Sequence, residues 1–428
     1  MSSVFEELSW RGVVHSATEG AEKALSSGTP ITAYIGFDPT ASSLHVGSLL
    51  QIMNLARLQK FGHNAIALVG GGTGMIGDPS GKSQERQLLT VEQIQENLAG
   101  IRAQLEQFLA FDGVNNPARM VDNGEWLLQV GLIEFLRDIG KHFRVNVMMT
   151  KDSVKDRFAK EQGISFTEFS YQLLQGYDYL VLHDRYGCTL QMGGSDQFGN
   201  IIEGTDLIRT KRGAQAYGVV SPLVTKADGT KFGKSEGGLN IWLDPARTSP
   251  FKFYQFWINA LDADVINYLK YFTYLTRDDI SALEQSMHAD AGQKVAQKRL
   301  ASEVTRMVHG EAALERAMRA SQVLFGGALD DVSTEDLLDI FGDAPSSQFD
   351  KARFDGEGVA LADVLVESGL IKSKREARDM MTSGGVYINN VRVTDPARRL
   401  THADSIGGQV VVLRKGSKAY HLAKLGEG

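Results

Sequence analysis

A single cysteine, Cys188, is all that the 428 residues contain. That excludes an internal disulfide framework and a cysteine-rich zinc site, and it fits a reducing compartment. No apolar run approaches the ~18 residues needed to cross a bilayer. The opening residues MSSVFEELSW hold two acids and no apolar core, so neither a secretory nor an organelle-targeting start is expected, and a cytoplasmic location is. Basic excess is missing too: 45 Lys and Arg stand against 52 Asp and Glu, and 45 − 52 = −7. Taken whole, that balance does not suggest a nucleic-acid binder. The nine histidines show no spacing such as His-Glu-x-x-His, so no protein-held metal is expected. Disorder is excluded because 43% of the residues are apolar, ample for real cores. Length points to two or three domains at ~100–200 residues each.

The charge is segregated. From Ile371 to the end, 11 bases and five acids give 11 − 5 = +6, so the rest carries −7 − 6 = −13. Residues 326–357 hold nine acids and two bases among Gly-Gly, Pro-Ser-Ser and Asp-Gly turns. Such a stretch reads as an acidic, mobile linker ahead of a small basic domain.

Hydrophobic patterning in the front half alternates strand with helix. ITAYIGF (31–37) is a short apolar strand broken at Asp38-Pro39, and SLLQIMNLARLQKFG then runs at helical spacing until Gly62. NAIALVG is a second strand entering a glycine cluster at 70–81, Thr90 and Gln93 make a capping box for a helix ending near Phe111, and ARMVD (118–122) is a third strand. FTEFSYQLLQGYDYL forms a further helix before the strand CTLQM (188–192). This rhythm predicts an α/β fold with a doubly wound parallel sheet, Rossmann-like, over residues 1–230. A polar glycine-rich loop (227–238) and helical patterns follow, giving a domain over 231–325. After the linker, residues 358–428 read as a small α+β domain with two short helices and the strand pieces VYINN, VRV and QVVVLRK.

Several glycine motifs resemble known sites without matching them. Gly72-x-Gly74-x-x-Gly77 fits a dinucleotide fingerprint, but Asp78-Pro79 interrupts where the phosphate-binding helix should begin. A nicotinamide dehydrogenase would rest on these glycines alone. Gly77-Asp-Pro-Ser-Gly81-Lys82-Ser83 is one residue short of a P-loop, yet Lys82 and Arg86 beside a glycine turn can still hold phosphate. Gly193-Gly-Ser195-Asp-Gln197 lacks the last glycine of a nucleophile elbow.

Three constellations remain. Thr40 and His45 flank a predicted helix N-terminus, where donors and dipole together hold anionic oxygens, and Gly47 lets a nucleotide ring approach the backbone. Lys231-Phe-Gly-Lys234-Ser235 puts two cations and a hydroxyl on a glycine-flanked loop suited to closing over a leaving polyphosphate. Tyr171, Gln175 and Asp178 fall at i, i+4 and i+7 on one helix face and, with Tyr34 and Asp78, can line one polar pocket.

His45-Val-Gly-Ser48 followed by Lys231-Phe-Gly-Lys234-Ser235 resembles the HIGH and KMSKS signature pair of class I aminoacyl-tRNA synthetases. YIGFDPTASSLHVG, GDPSGKS, FTEFSYQLLQGYDY, LQMGGSDQFGN and KFGKS resemble the bacterial tyrosyl-tRNA synthetases in order and spacing. SKREARDMMTSGGVYINNVRV resembles a small RNA-binding module found in those enzymes, in a ribosomal protein and in some pseudouridine synthases.

The resemblance implies activation of L-tyrosine with ATP and transfer to tRNA(Tyr), with no covalent enzyme intermediate. It implies tyrosine binding by Tyr34 and Asp178 at the phenol hydroxyl, by Tyr171, Gln175 and Asp78 at the ammonium, and by Gln197 at the carboxylate. ATP contacts are implied at Gly36, Asp38, Gly47, Ser48, Gly194, Asp196 and Lys234, with Gly194 and Asp196 meeting the ribose. Catalysis falls to Thr40, His45, Lys82, Arg86, Lys231, Lys234 and Ser235 around the leaving phosphates. Mg²⁺ is expected only as a companion of ATP, and no cofactor is expected on the protein. RNA contacts are implied at Lys372, Lys374, Arg375, Arg378, Arg392, Arg398 and Arg399, and a homodimer through the α/β domain, with no membrane partner. Ser48 stands where the signature has its second histidine, and Phe-Gly replaces Met-Ser between the lysines. The tryptophanyl enzyme is the rival within the class, and a non-catalytic RNA-binding protein on the same scaffold is the rival outside it.

Overall fold

A computed structural model describes residues 3–80, 89–151, 154–155, 163–229, 232–234, 238–324, 326–327, 329, 334–342, 344–416 and 419–426. Two compact units divide the chain: Met1–Arg247 with Ala260–Leu300, and Thr248–Asn259 with Ala301–Gly428.

The first unit is built on a six-stranded sheet of β1 (Ser16–Ala17), β2 (Thr32–Phe37), β3 (Asn64–Val69), β4 (Arg119–Asp122), β5 (Cys188–Gly194) and β6 (Tyr217–Ser221), ordered β1-β6-β5-β2-β3-β4. All pairings are parallel except that of β1 with β6. Parallel strands covered on both faces need near-continuous apolar runs, and β3 (NAIALV) is buried from Ala65 to Val69. The Val46–Lys60 helix joins β2 to β3 and Val91–Leu105 joins β3 to β4, while Phe198–Arg212 joins β5 to β6. The doubly wound expectation therefore holds. The capping box of Thr90 and Gln93 is formed, but its helix stops at Leu105 and not near Phe111. There Gln107 and Phe108 turn back on the carbonyls of Gln104 and Leu105, both at 3.1 Å, ending the α-helical ladder.

Segment Ala260–Leu300 belongs to this unit, where the sequence had suggested a boundary at 230. Two arginines tie it there. A helix leaves its last carbonyls without intrahelical partners. At the end of Asp262–Phe272, Arg57 donates to the carbonyls of Lys270 (3.2 Å), Tyr271 (2.7 Å) and Thr273 (3.0 Å). Arg11 donates to Lys270 (2.9 Å), Thr273 (3.0 Å) and Leu275 (2.9 Å). Burial, then the charge of Arg11, lowers the Arg57 guanidinium to about 9.

The second unit holds a five-stranded sheet of β7 (Ser346–Asp350), β9 (Val386–Ile388), β10 (Val391–Val393), β12 (Val410–Lys415) and β13 (Ala419–Gly426), ordered β10-β9-β12-β13-β7, beside a two-stranded pair of β8 (Val359–Ala360) and β11 (Arg399–Leu400). β12 alternates between two cores. Val411 and Leu413 face Leu361, Leu365 and Met381, whereas Val410 and Val412 join Val323, Leu337, Ile340 and Phe341. Residues 326–357 thus differ from the expected linker: they carry the helix Thr334–Ile340 and the strand β7, paired in parallel with β13. A charge count averages over faces and missed the apolar positions 337, 340 and 341 that bury themselves between the acids. No described helix is long and apolar enough to cross a membrane.

Candidate active site

Strand order reverses between β2 and β5, and in such sheets the crevice outside the carboxyl ends at the reversal takes ligands. Tyr34, Gly36 and Asp38 fall at i, i+2 and i+4 along and just beyond β2, so they share a face. Gly36 is exposed, and a Cβ built on it would meet nothing within 4 Å. The missing side chain leaves open space above the sheet.

Beside that space lies a buried polar chain. Tyr34 is 1% exposed, and its hydroxyl has no hydrogen-bond partner among the described residues. Burial, then the charge of Asp178, pushes its phenol well above the usual range. Asp178 comes from the Phe166–Tyr186 helix and is 2% exposed. Its Oδ1 accepts from the Trp126 indole N–H at 2.8 Å and its Oδ2 from the Asn123 amide at 2.9 Å. Burial raises this carboxyl to about 8, opposed by those two hydrogen bonds. An orphaned hydroxyl beside a buried carboxyl is an arrangement that a ligand hydroxyl would complete, since leaving either unpaired costs ~1–3 kcal/mol.

The helix face predicted from Tyr171, Gln175 and Asp178 is buried, but its three members meet different partners. The Tyr171 hydroxyl donates to Asp38 Oδ2 at 2.9 Å. Burial, then the charges of Asp38 and Asp78, raises the Tyr171 phenol, so both carboxylates lie near that hydroxyl. Asp78 accepts from the Ser80 amide at 2.9 Å and from Gln197 Nε2 at 2.6 Å. Gln175 Oε1 instead accepts from Asn200 Nδ2 at 3.0 Å. Gln197 and Asp196 lie just after β5, whose last residue is Gly194; a Cβ on Gly194 would lie 2.5 Å from Asp196 Oδ1, so the absent side chain leaves room for that carboxylate.

Past the same carboxyl end of β2, Thr40 is exposed and its amide donates to the Asp38 carbonyl at 2.9 Å. His45 is the N-cap of the Val46–Lys60 helix, its Nδ1 accepting from the Gly47 amide at 3.0 Å, and the Ser48 amide donates to the His45 carbonyl at 2.8 Å. The second lysine motif comes to the same place. Gly233 adopts φ +80°, and a Cβ on it would lie 3.2 Å from Val46 Cγ2 and 3.5 Å from the Gly47 nitrogen. Ile241 N donates to the Gly233 carbonyl and Val46 N to the Ile241 carbonyl, both at 3.0 Å, and Lys234 bridges to Asn240. Lys82, Arg86, Lys231 and Ser235 lie outside the described residues.

The glycine cluster after β3 does different work from a dinucleotide fingerprint. The Gly71 amide donates to Asp122 (3.1 Å), those of Gly72 (2.8 Å) and Thr73 (3.4 Å) to Asn123 Oδ1, and that of Gly74 to the Gly70 carbonyl (2.8 Å). Those donors are engaged within the protein. Thr73 in turn donates to Asp38 Oδ1 at 3.0 Å and accepts from Asn123 at 2.9 Å. Asn123, Trp126, Thr73 and Asn200 were not singled out in the sequence. The available signal for Asn123 was its place directly after a parallel strand, at a carboxyl end.

In the second unit, the seven basic candidates divide. Lys374 pairs with Asp363 (2.9 Å), Arg375 with Asp379 (3.9 Å) and Arg398 with Asp404, while Arg399 donates to the carbonyls of Glu357 (2.9 Å) and Gly358 (2.6 Å). Arg392 lies over the Tyr387 ring at 5.6 Å, and Arg414, absent from the sequence candidates, at 3.9 Å. Lys372 and Arg378 are exposed on and beside the Lys374–Thr382 helix. Among the described residues, no group of three or more His, Cys, Asp or Glu side chains is arranged to hold a metal ion.

A family model described as tRNA synthetases class I (W and Y) matches residues 26–326, and one described as a tyrosine–tRNA ligase SYY-like C-terminal domain matches residues 336–423. The chain is 55% identical to the tyrosine–tRNA ligase of Roseiflexus castenholzii, over 99% of this chain and 100% of that one. It is 48% identical to the tyrosine–tRNA ligase of Opitutus terrae over the same shares. Among solved structures it is similar to a C-terminally truncated mitochondrial tyrosyl-tRNA synthetase of Aspergillus nidulans, with a TM-score of 0.67, 30% identity, and coverage of 76% of this chain and 94% of that one. A parallel sheet open at the β2–β5 reversal, the two signature segments joined at one helix start, and relatives matched end to end agree: the chain belongs to the tyrosine–tRNA ligase family of class I tRNA synthetases.

Proposed function

We propose that the chain attaches L-tyrosine to tRNA(Tyr) in two steps at the β2–β5 crevice. In the first, an oxygen of the tyrosine carboxylate bonds to the α-phosphorus of ATP, the bond from that phosphorus to the bridging oxygen breaks, and pyrophosphate leaves. In the second, a terminal ribose hydroxyl of the tRNA attacks the carbonyl carbon and AMP leaves. No enzyme group is bonded to substrate at any stage, so the protein acts by positioning and charge.

The observation that carries this reading is the buried pair of Tyr34, with its orphaned hydroxyl, and Asp178. A phenol hydroxyl supplies one donor and acceptor for the two, which neither phenylalanine nor an indole ring offers in the same way. Asp78, Tyr171 and Gln175 take the ammonium, Gln197 faces the carboxylate, and Gly36, Asp38, Gly47, Ser48, Gly194 and Asp196 hold the nucleotide. Thr40 and His45, beside the positive end of the Val46–Lys60 helix, meet the leaving phosphates. Lys231, Lys234 and Ser235 close on them, with Lys82 and Arg86 adding charge. Mg²⁺ enters on ATP as part of the substrate. Lys372, Arg378 and Arg392 are the basic residues best disposed for tRNA phosphates, and Tyr387 offers a ring beside Arg392. The protein works in the cytoplasm as a homodimer. The Leu132–Asp138 helix supports the dimer, with Leu132 71%, Ile133 75% and Leu136 45% exposed on one short helix.

Charging of tRNA with tyrosine, tryptophan and phenylalanine, measured side by side, tests the reading. Tyrosine alone should be transferred efficiently. Preferred transfer of tryptophan, or of none, would contradict it.

A further inference from the structure

We propose that Trp242, braced by Arg247, is a positioning residue that fixes the orientation of the His45 ring. The inference rests on the reading that His45 meets the leaving phosphates, and it names what holds the imidazole in place to do so.

His45 Nδ1 accepts the Gly47 amide at 3.0 Å. A neutral ring that accepts at Nδ1 carries its proton on Nε2, the nitrogen then able to donate to an anionic oxygen at the helix start. The geometry needs the ring folded back over the backbone: a Cβ on Gly47 would fall 2.6 Å from His45 Cε1. The hydrogen bond from the exposed Gly47 amide sets which nitrogen accepts, and the tilt of the ring depends on what packs against it. The indole of Trp242 supplies the second constraint, meeting the imidazole edge-to-face with ring centroids 6.0 Å apart at 70°.

The indole is itself anchored. Its backbone bridges to His45, with the Val46 amide on the Ile241 carbonyl at 3.0 Å and the Leu243 amide on the Leu44 carbonyl at 2.9 Å. The Arg247 guanidinium covers the ring at 3.6 Å from its centroid. A turn holds that arginine, with the Arg247 amide on the Asp244 carbonyl at 3.1 Å and the Ala246 amide on Asp244 Oδ1 at 2.9 Å. The same short segment bridges Lys234 through Asn240. Trp242 therefore lies between the histidine and the lysine loop in one backbone-linked piece, and it keeps the imidazole aligned as the lysine charges arrive. Neither signature segment contains it.

The test is a double-mutant cycle on the full-length protein, reading the single-turnover rate of adenylate formation and the dissociation constant of tyrosine. Trp242→Leu should slow adenylate formation about 10- to 100-fold, the scale of a small misplacement at the reacting centre, with tyrosine affinity unchanged. Trp242→Phe, which keeps an aromatic edge, should recover most of the rate. Arg247→Ala, an exposed change that leaves the fold intact, should give a loss of about 3-fold in the same direction. In a His45→Asn background each of these effects should vanish. Equal losses with and without the imidazole would overturn the positioning role while leaving His45 itself in place, as would a Trp242→Leu defect that falls equally on tyrosine affinity. An unchanged rate in His45→Asn would overturn the reading of His45 and this inference with it.

Discussion

Replacing Asn123 by alanine removes the hub of the buried polar chain. The side chain makes four hydrogen bonds: to the amides of Gly72 (2.8 Å) and Thr73 (3.4 Å), to Thr73 Oγ1 (2.9 Å) and to Asp178 Oδ2 (2.9 Å). Thr73 keeps its bond to Asp38, and Asp178 keeps Trp126 on its other oxygen. The Gly72 amide and Asp178 Oδ2 each lose a short bond away from water, and the Thr73 amide loses a long one of 3.4 Å that adds little. At ~1–3 kcal/mol for each short bond, the loss of stability is about 2–6 kcal/mol, at the low end if water enters the hole. Tyrosine affinity should fall as well, because Asp178 loses one of the two donors that orient it. Urea unfolding followed by tryptophan fluorescence gives the first quantity and equilibrium dialysis with tyrosine the second. A stability loss under ~0.5 kcal/mol, the range of ordinary surface changes, together with unchanged tyrosine affinity, would refute the hub.

Asp178→Asn should show a pH signature. The folded carboxyl lies at about 8, above its ordinary value of ~4, so the fold favours the protonated acid, and stability present below that ordinary value is lost as pH rises through 8. Asparagine cannot ionise, so the variant should gain on the parent in melting temperature from acid toward pH 9, and a difference that stays flat would remove the raised carboxyl. Lys234→Ala should slow adenylate formation far more than it weakens tyrosine binding; equal loss of both would deny it a transition-state role. Phe341→Ala should cost the second unit about 3–5 kcal/mol, since the ring is 2% exposed and packs on Tyr420 at 4.9 Å. A variant that unfolds like the parent would restore the picture of a loose linker.

The parallel sheet was legible because β3 is apolar throughout and the helices between strands keep their period. The N-cap at His45 was legible too, since a helix start followed by glycine leaves a local trace. Partners were not. Tyr171, Gln175 and Asp178 share a face as their spacing required, yet one pairs with Asp38, one with Asn200 and one with Asn123 and Trp126. Those contacts join residues 25 to 133 positions apart, which no local pattern encodes. Charge counts hid contacts in both places for one reason: they carry no information on partners. A count of acids hid the buried positions of residues 334–350, and a count of bases could not show that Arg398 pairs with Asp404 or that Arg399 donates to the carbonyls of Glu357 and Gly358.

The central claim is that the crevice activates tyrosine chosen through Tyr34 and Asp178. Amino-acid-dependent exchange of labelled pyrophosphate into ATP tests it most directly, because it reads the first step without any tRNA. Rapid exchange with tyrosine, and little with tryptophan or phenylalanine, is the predicted result. No exchange with tyrosine, or exchange that phenylalanine supports equally well, would contradict it.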